Sequence, residues 1–159
     1  MKPFWGVATL MLAVDQAVKA WVRGAIPTGG SFQGLPWPGV FELTLTYNRG
    51  VAFGLFQGFG HLLAPVAVAI AVGAAWIVHR RKPSTLGQVS LGLLVAGAVG
   101  NLIDRVWLGQ VTDMFWIRVI DFPVFNVADA CISVAAVLLV LFWGREETRE
   151  TALTHRTDP

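Results

Sequence analysis

The stretch FNVADACISVAAVLLVLFW, residues 125–143, decides the fold. From Cys131 onward it is apolar almost all round a helix, with no polar stripe of the kind a soluble helix turns to water. At 1.5 Å per residue, residues 126–143 reach about 27 Å, close to the depth of a hydrocarbon core. Three other runs share that character: residues 3–22, 61–78 and 86–103. The sequence therefore predicts a membrane α protein with four transmembrane helices. Asp129 lies near the start of the last one. A carboxylate inside a span costs roughly 2.5–3.5 kcal/mol near the bilayer centre and less toward its edge, so its presence asks for a reason.

Composition agrees with the spans. Of 159 residues 55% are hydrophobic and 14% charged, where an ordinary soluble domain carries about 25% charged residues. Seven Trp and ten Phe against one Tyr suit a lipid-facing surface with aromatic belts. The net charge of +2 and its scattered Lys and Arg offer no basic patch for nucleic acid. The lone Cys131 excludes an internal disulfide and reads as a small packing residue. The first span follows Lys2 as a signal peptide would, but it reads as a retained anchor because no soluble domain follows. Residues 1–144 form a single domain in this reading, and residues 145–159 a polar cytoplasmic tail, a frayed helix and then disorder.

The Lys and Arg bias sets the direction of the spans. With a cytoplasmic N terminus, segments 1–3, 79–85 and 144–159 lie inside and hold Lys2, Arg80, Arg81, Lys82, Arg145, Arg149 and Arg156. The longer outer segments, 23–60 and 104–125, hold only Arg23, Arg49, Arg105 and Arg118. Both termini are then cytoplasmic. In the first outer segment Phe41, Leu43, Leu45 and Tyr47 alternate with Glu42, Thr44 and Thr46, the period-two pattern of a half-buried strand. Asn48-Arg49-Gly50 reads as a turn leading to a second short strand. The expectation is a small extracytoplasmic β-sheet between helices 1 and 2, and an amphiphilic loop dipping into the interface between helices 3 and 4. No internal repeat is visible.

On this topology the ionisable residues in or beside the spans, apart from the cytoplasmic basic loop and tail, gather in the outer half. Asp15 is about 17 Å along the first helix from Phe4, past the midplane, and Lys19 is one turn further out. Asn101, Asp104 and Arg105 end the third span, and Asn126 and Asp129 start the fourth. Each has a plain structural reading. Asp15 and Lys19 at i, i+4 form a helical ion pair, with direct substrate contact as the alternative. Asp104-Arg105 punctuates a helix exit. Asn126 and Asp129 imitate a capping box with Asp in place of Glu. Gly92, Gly97 and Gly100 permit close helix packing. The convergence in one leaflet favours a functional site over these accounts taken separately.

Serine-hydrolase and zinc motifs are absent, and His61, His79 and His155 cannot cluster on this topology, so neither a metal nor a cofactor is called for. Two neighbouring carboxyls cannot both ionise cheaply, and such a pair supplies an acid and a base near neutral pH. Asp104, Asp113, Asp121 and Asp129 are the candidates, and spacing alone does not choose between them. A proton-coupled transporter and a scaffold whose acids only lock helices remain as rival readings.

DQAVK (15–19), NRGVAFG (48–54), GAVGNLIDR (97–105), VTDMF (111–115) and FNVADACI (125–132), in that order, resemble the prolipoprotein signal peptidase (signal peptidase II) family. The resemblance implies an aspartic endopeptidase of the bacterial plasma membrane, its site on the extracytoplasmic side, that cuts before a diacylglyceryl-modified cysteine. It implies Asp113 and Asp129 as the catalytic dyad. It has Asn101 and Asn126 orient the acids, Asp104 and Arg105 organise the site, Asn48 bind substrate backbone, and Asp15 and Lys19 complete a polar floor. Gly50, Gly100 and Ala128 fall in the same motifs and join the site-organising set. Asp121 becomes a structural loop acid. The implied partners are prolipoproteins and membrane lipid, with the chain acting as a monomer. VTD carries Thr112 where the family often has a second Val.

Overall fold

The fold is that of a computed structural model and is described for residues 1–32, 37, 39–50 and 63–154, with the backbone alone for 142–154. The helices are α1 (Lys2–Ala25), α2 (Leu63–Arg81), α3 (Thr85–Leu108) and α4 (Val127–Thr154). The strands are β1 (Phe41–Asn48) and β2 (Val111–Ile117), and a 3-10 turn, Arg118–Ile120, follows β2.

Local chemistry explains the helix ends. Pro3 occupies the first turn of α1, where its missing N–H costs nothing. Ser84 caps α3, its hydroxyl accepting the Gly87 N–H at 3.1 Å. Gly109, at φ 70°, closes α3 in the left-handed conformation glycine tolerates. His79, Arg80 and Arg81 fill the last turn of α2, where the helix dipole favours positive charge.

α3 is the central helix and packs against α1, α2 and α4. The apolar core at one end joins Phe4 and Ala8 of α1, Ala74 and Val78 of α2, and Leu91 and Val95 of α3, with Leu139 of α4 against them. The start of α1, the end of α2, the start of α3 and the later part of α4 therefore meet at one end, so the helices alternate in direction. Close approach needs missing side chains. A Cβ at Gly92 would strike the Phe4 carbonyl, and one at Gly97 would collide with the Ala128 carbonyl and Ile132.

The outer faces of these helices are apolar. Trp5, Leu10, Val14 and Trp21 on α1, Val66, Val68, Val72 and Trp76 on α2, and Val134, Val137 and Val140 on α4 are exposed. By length and apolarity α2 and α3 suffice to cross a membrane, and Val127–Leu141 of α4 is a shorter apolar run. α1 carries Asp15, Lys19 and Arg23 and falls short of that measure.

At the other end β1 pairs antiparallel with β2, Phe41 opposite Ile117 and Asn48 opposite Val111. The expected sheet between helices 1 and 2 needs correction. Among the described residues between α1 and α2, β1 makes only an isolated antiparallel bridge, Thr44 to Ser31, and its partner strand comes from between α3 and α4, the segment read as an amphiphilic loop. Residues Val111 to Met114 are buried without alternation, so no period-two signal marks that strand. The second strand expected after Gly50 falls in 51–62, outside the described residues, as do the start of the second span and residues 155–159. The backbone of α4 runs on to Thr154, so the start of the tail is helical.

A bulge in β1 between Leu43 and Thr46 sets the site. Continuing the register of Leu43 opposite Phe115 would place Leu45 opposite Asp113. The extra residue instead sets Thr46 there and turns Leu45 into a cluster with Val22, Ile26, Leu43 and Met114. That cluster seats the sheet on the end of α1.

Gly97→Ala overpacks the α3–α4 contact, which costs about 1–3 kcal/mol. It should lower the unfolding temperature in detergent. Gly6→Ala, where an added Cβ meets nothing, should hold or raise it.

Candidate active site

The polar centre lies at the sheet end of the bundle. Five elements converge there. α1 contributes Asp15, Gln16, Lys19 and Arg23. α3 contributes Gly100, Asn101, Asp104 and Arg105. β2 contributes Thr112 and Asp113, and the start of α4 contributes Asn126, Ala128 and Asp129. Asn48 and Gly50, at the end of β1, complete it. Asp15, Lys19, Asp104, Thr112, Asp113 and Asn126 are all buried, so each needs a partner.

Lys19 satisfies the α1–α3 side. Its ammonium lies 3.0 Å from Asp15 Oδ2 and 3.4 Å from Asp104 Oδ2. It donates to Asn101 Oδ1 at 3.0 Å and to the Gly100 carbonyl at 3.4 Å. Asp15 also accepts the Ala128 N–H at 2.9 Å, so its charge faces the N-terminal end of α4, where the dipole favours it. Gly100 makes this possible, because a Cβ there would stand 2.6 Å from Asp15 Oδ2. Gln16 spans Asp15 and the Gly100 carbonyl.

Asn126 ties the two acids together. Its Nδ2 donates to Asp113 Oδ1 at 2.7 Å, to Asn101 Oδ1 at 3.1 Å and to the Thr112 carbonyl at 3.3 Å. Its Oδ1 accepts the Asp129 N–H at 2.9 Å, and Asp129 Oδ2 accepts the Asn126 N–H at 3.2 Å. The capping box suggested by the spacing is thus formed, and the same residues bear on Asp113. Asn101 Nδ2 donates to Asp129 Oδ1 at 2.8 Å. Asn48 hydrogen-bonds Asp113, and its Oδ1 accepts the Gly50 N–H at 2.8 Å.

The environment of Asp113 is that of an acid near its balance point. Burial first, and then the charge of Asp129, push its carboxyl up to about 7, against hydrogen bonds from Asn126 and Asn48 and the charge of Lys19. Arg105 donates to the Asn101 carbonyl at 3.3 Å and to the Gly50 carbonyl at 3.4 Å. Its charge acts on Asp129, Asp113 and Asp104.

Every predicted site residue therefore falls in one cluster, and Asp121 does not. It is exposed, in the left-handed conformation at φ 47°, closing the 3-10 turn. Three further contributors had no separate reading in the sequence. Arg23 donates to Thr112 Oγ1 at 2.9 Å and lies 3.6 Å from Asp104. Thr112 gives its N–H to Asp104 at 2.8 Å, and Gln16 braces Asp15. Only the i, i+4 step from Lys19 to Arg23 signals any of this in advance. Among the described residues no group of His, Cys, Asp or Glu could hold a metal ion.

The family model of signal peptidase (SPase) II matches residues 7–144. The chain belongs to the signal peptidase II family. A lipoprotein signal peptidase of Gloeobacter violaceus is 41% identical over 152 residues, 94% of this chain and 86% of that one. One from Streptococcus pneumoniae is 36% identical over 143 residues, 89% and 92% of the two chains. A solved bacterial membrane enzyme superposes with a TM-score of 0.81 at 27% identity, over 90% of this chain and 88% of that one. A second gives 0.75 at 28%, over 85% and 88%. As a signal peptidase II family member the chain is a protease, and its exposed apolar helices are those of a membrane protein.

The raised Asp113 carboxyl has a stability consequence. Between about pH 4 and about pH 7 the folded chain keeps a proton that the unfolded chain has lost, so this residue's contribution falls as pH rises. Asp113→Asn should therefore unfold at a higher temperature than the parent at alkaline pH, by up to a few kcal/mol of stability. The gain should vanish near pH 4, as a thermal series in detergent would read.

Proposed function

We propose that this chain is an aspartic endopeptidase of the bacterial plasma membrane that removes the signal peptide from diacylglyceryl-modified prolipoproteins. It cuts before the lipidated cysteine. The observation that carries the reading is that the Asp113 and Asp129 carboxyls both lie on Asn126, Asp113 accepting from its side chain and Asp129 from its backbone N–H.

Charge accounting supports a shared proton. Asp15 and Asp104 balance Lys19 and Arg23. Arg105 then stands against Asp113 and Asp129 and offsets one negative charge. A pair holding one proton makes the buried site neutral, whereas a second negative charge would be uncompensated in a low-dielectric setting. In that state the ionised carboxylate takes a proton from water as the water attacks the scissile carbonyl. The protonated partner donates to the carbonyl oxygen. The tetrahedral gem-diol collapses as the carboxyl that took the water's proton passes it to the leaving amine, and a gem-diol hydroxyl returns its proton to the other carboxylate as the new C=O forms, so the dyad again holds one proton. Asn101 and Asn126 hold the acids from behind, Arg105 organises the opening, and Asn48 binds substrate backbone.

All four helices cross the membrane in this reading, with both termini in the cytoplasm. Residues 1–144 make one domain that works as a monomer, with 145–159 as its tail. Trp5 and Trp76 are exposed toward the end of the bundle that holds His79, Arg80 and Arg81, and Trp21 and Trp107 toward the sheet end. Trp5 and Trp21 are separated by about 24 Å along α1, a spacing that suits belts at the two interfaces. A lipid-anchored cysteine presents its preceding peptide bond at the outer interface. That depth has both the carboxylates and water.

The test is cleavage of a diacylglyceryl-modified precursor beside its unlipidated twin, with purified protein in detergent and no membrane gradient. The lipidated substrate alone should be cut. Asp113→Asn and Asp129→Asn should each lose at least about 10³-fold in kcat while still binding it. The parent's rate should be bell-shaped in pH, because fully protonated and fully ionised pairs are both inactive. Near-parental activity of either variant would remove the dyad.

A further inference from the structure

Lys19 is fully buried, and its ammonium reaches further than an ion pair requires. Neutralising Asp15 and Asp104 accounts for two of its contacts. A third runs to Asn101 Oδ1 at 3.0 Å, and that contact has a directional consequence. With its oxygen held by a cation, the Asn101 amide must turn its nitrogen the other way, where it donates to Asp129 Oδ1 at 2.8 Å. Reversing the amide would set an NH2 against the ammonium and an oxygen against the carboxylate.

The same oxygen accepts from Asn126 Nδ2 at 3.1 Å. Asn126 is thereby held with its nitrogen toward Asp113, at 2.7 Å, and its oxygen toward the Asp129 N–H, at 2.9 Å. We propose that Lys19 is a positioning residue of the reaction: its buried ammonium fixes the Asn101 and Asn126 amides so that each presents an N–H to one of the two acids. The inference rests on the dyad reading above and adds what sets the dyad's geometry.

An ammonium only donates, so Asn101 Oδ1 faces it as an acceptor and the Nδ2 of the same amide is left to donate to Asp129. The charge on Lys19 strengthens that Nδ2 as a donor, since hydrogen bonds in a chain polarise one another. Asn126 enters as a second donor to the same oxygen, which fixes its orientation. The remaining charged groups bearing on the dyad are Asp15 and Arg23 of α1, and Asp104 and Arg105 of α3. α2 contributes none, for its His79, Arg80 and Arg81 lie at the opposite end. Removing Lys19 removes a charge that favours the ionised form of Asp113.

The experiment uses the full chain in detergent with a diacylglyceryl lipopeptide. Lys19→Met should lower kcat about 10²-fold, the scale of a misplaced catalytic group, with KM within about threefold of the parent. The acid limb of its pH profile should move to higher pH by about one unit. Asn101→Leu leaves the Lys19–Asp15–Asp104 cluster intact and should show a similar loss in kcat. The double variant should be no worse than the lower single, because both cut one relay.

A folded Lys19→Met enzyme with near-parental kcat overturns the proposal. So does an unmoved acid limb, or losses that multiply in the double variant, as a structural ion pair would give. Should Lys19→Met not fold, the comparison is made within Asp104→Asn, where one fewer acid is left without its cation, and the same outcomes decide. If Asp113→Asn and Asp129→Asn stay active, the dyad reading fails. If they are inert while Lys19→Met behaves as the parent, the role of Lys19 alone fails.

Discussion

The side chain of Asn126 is the contact on which the site depends. One amide caps α4, accepts the backbone N–H of Asp129 and donates to Asp113. It therefore joins the start of α4 to β2 beside the Phe115–Phe125 backbone bridge. A buried amide with all its hydrogen bonds made is rigid, and that rigidity holds two carboxyls where their charges interact. The rest of the architecture serves this meeting. The glycines of α3 bring α1 and α4 close, the bulge in β1 turns Leu45 away from Asp113, and Lys19 fills the space between the acids on α1 and α3.

The molecule distributes polarity in the reverse of a soluble protein. Its buried charged residues, Asp15, Lys19, Asp104 and Asp113, sit in a small interior cluster at one end, and large apolar side chains cover the outside of the helices. Burying such a cluster is expensive unless charges and hydrogen bonds are matched. Here two cations meet two anions, and the charge of Arg105 acts on Asp113 and Asp129. Asp129 at the mouth of an apolar helix is tolerated for the same reason: its carboxylate accepts from Asn101 and from the Asn126 N–H.

Much of this was legible in the sequence because it is local or one-dimensional. Four apolar runs gave four helices, each within a few residues of its bounds, apart from α4, which continues into the polar tail. Alternation over residues 41–47 gave β1. The family motifs named both acids and both asparagines. The pairing of β1 was not legible, because Val111 to Met114 are covered on both faces and carry no alternation. Nor was the bulge, which leaves no mark in a pattern of Thr and Leu. Arg23 and Thr112 lie 89 residues apart and meet at 2.9 Å, a contact that no spacing rule contains. Capping and site roles are rival readings of Asn126 and Asp129 in the sequence, yet one set of hydrogen bonds both caps the helix and reaches Asp113.

The most direct measurement of the central claim is an infrared pH titration of the purified protein in detergent, beside Asp113→Asn and Asp129→Asn. A dyad sharing one proton gives a protonated-carboxyl C=O band that persists at neutral pH and is lost or displaced by each substitution alone. A parent spectrum with no protonated carboxyl at neutral pH, or a band untouched by both substitutions, contradicts the shared proton and the mechanism built on it.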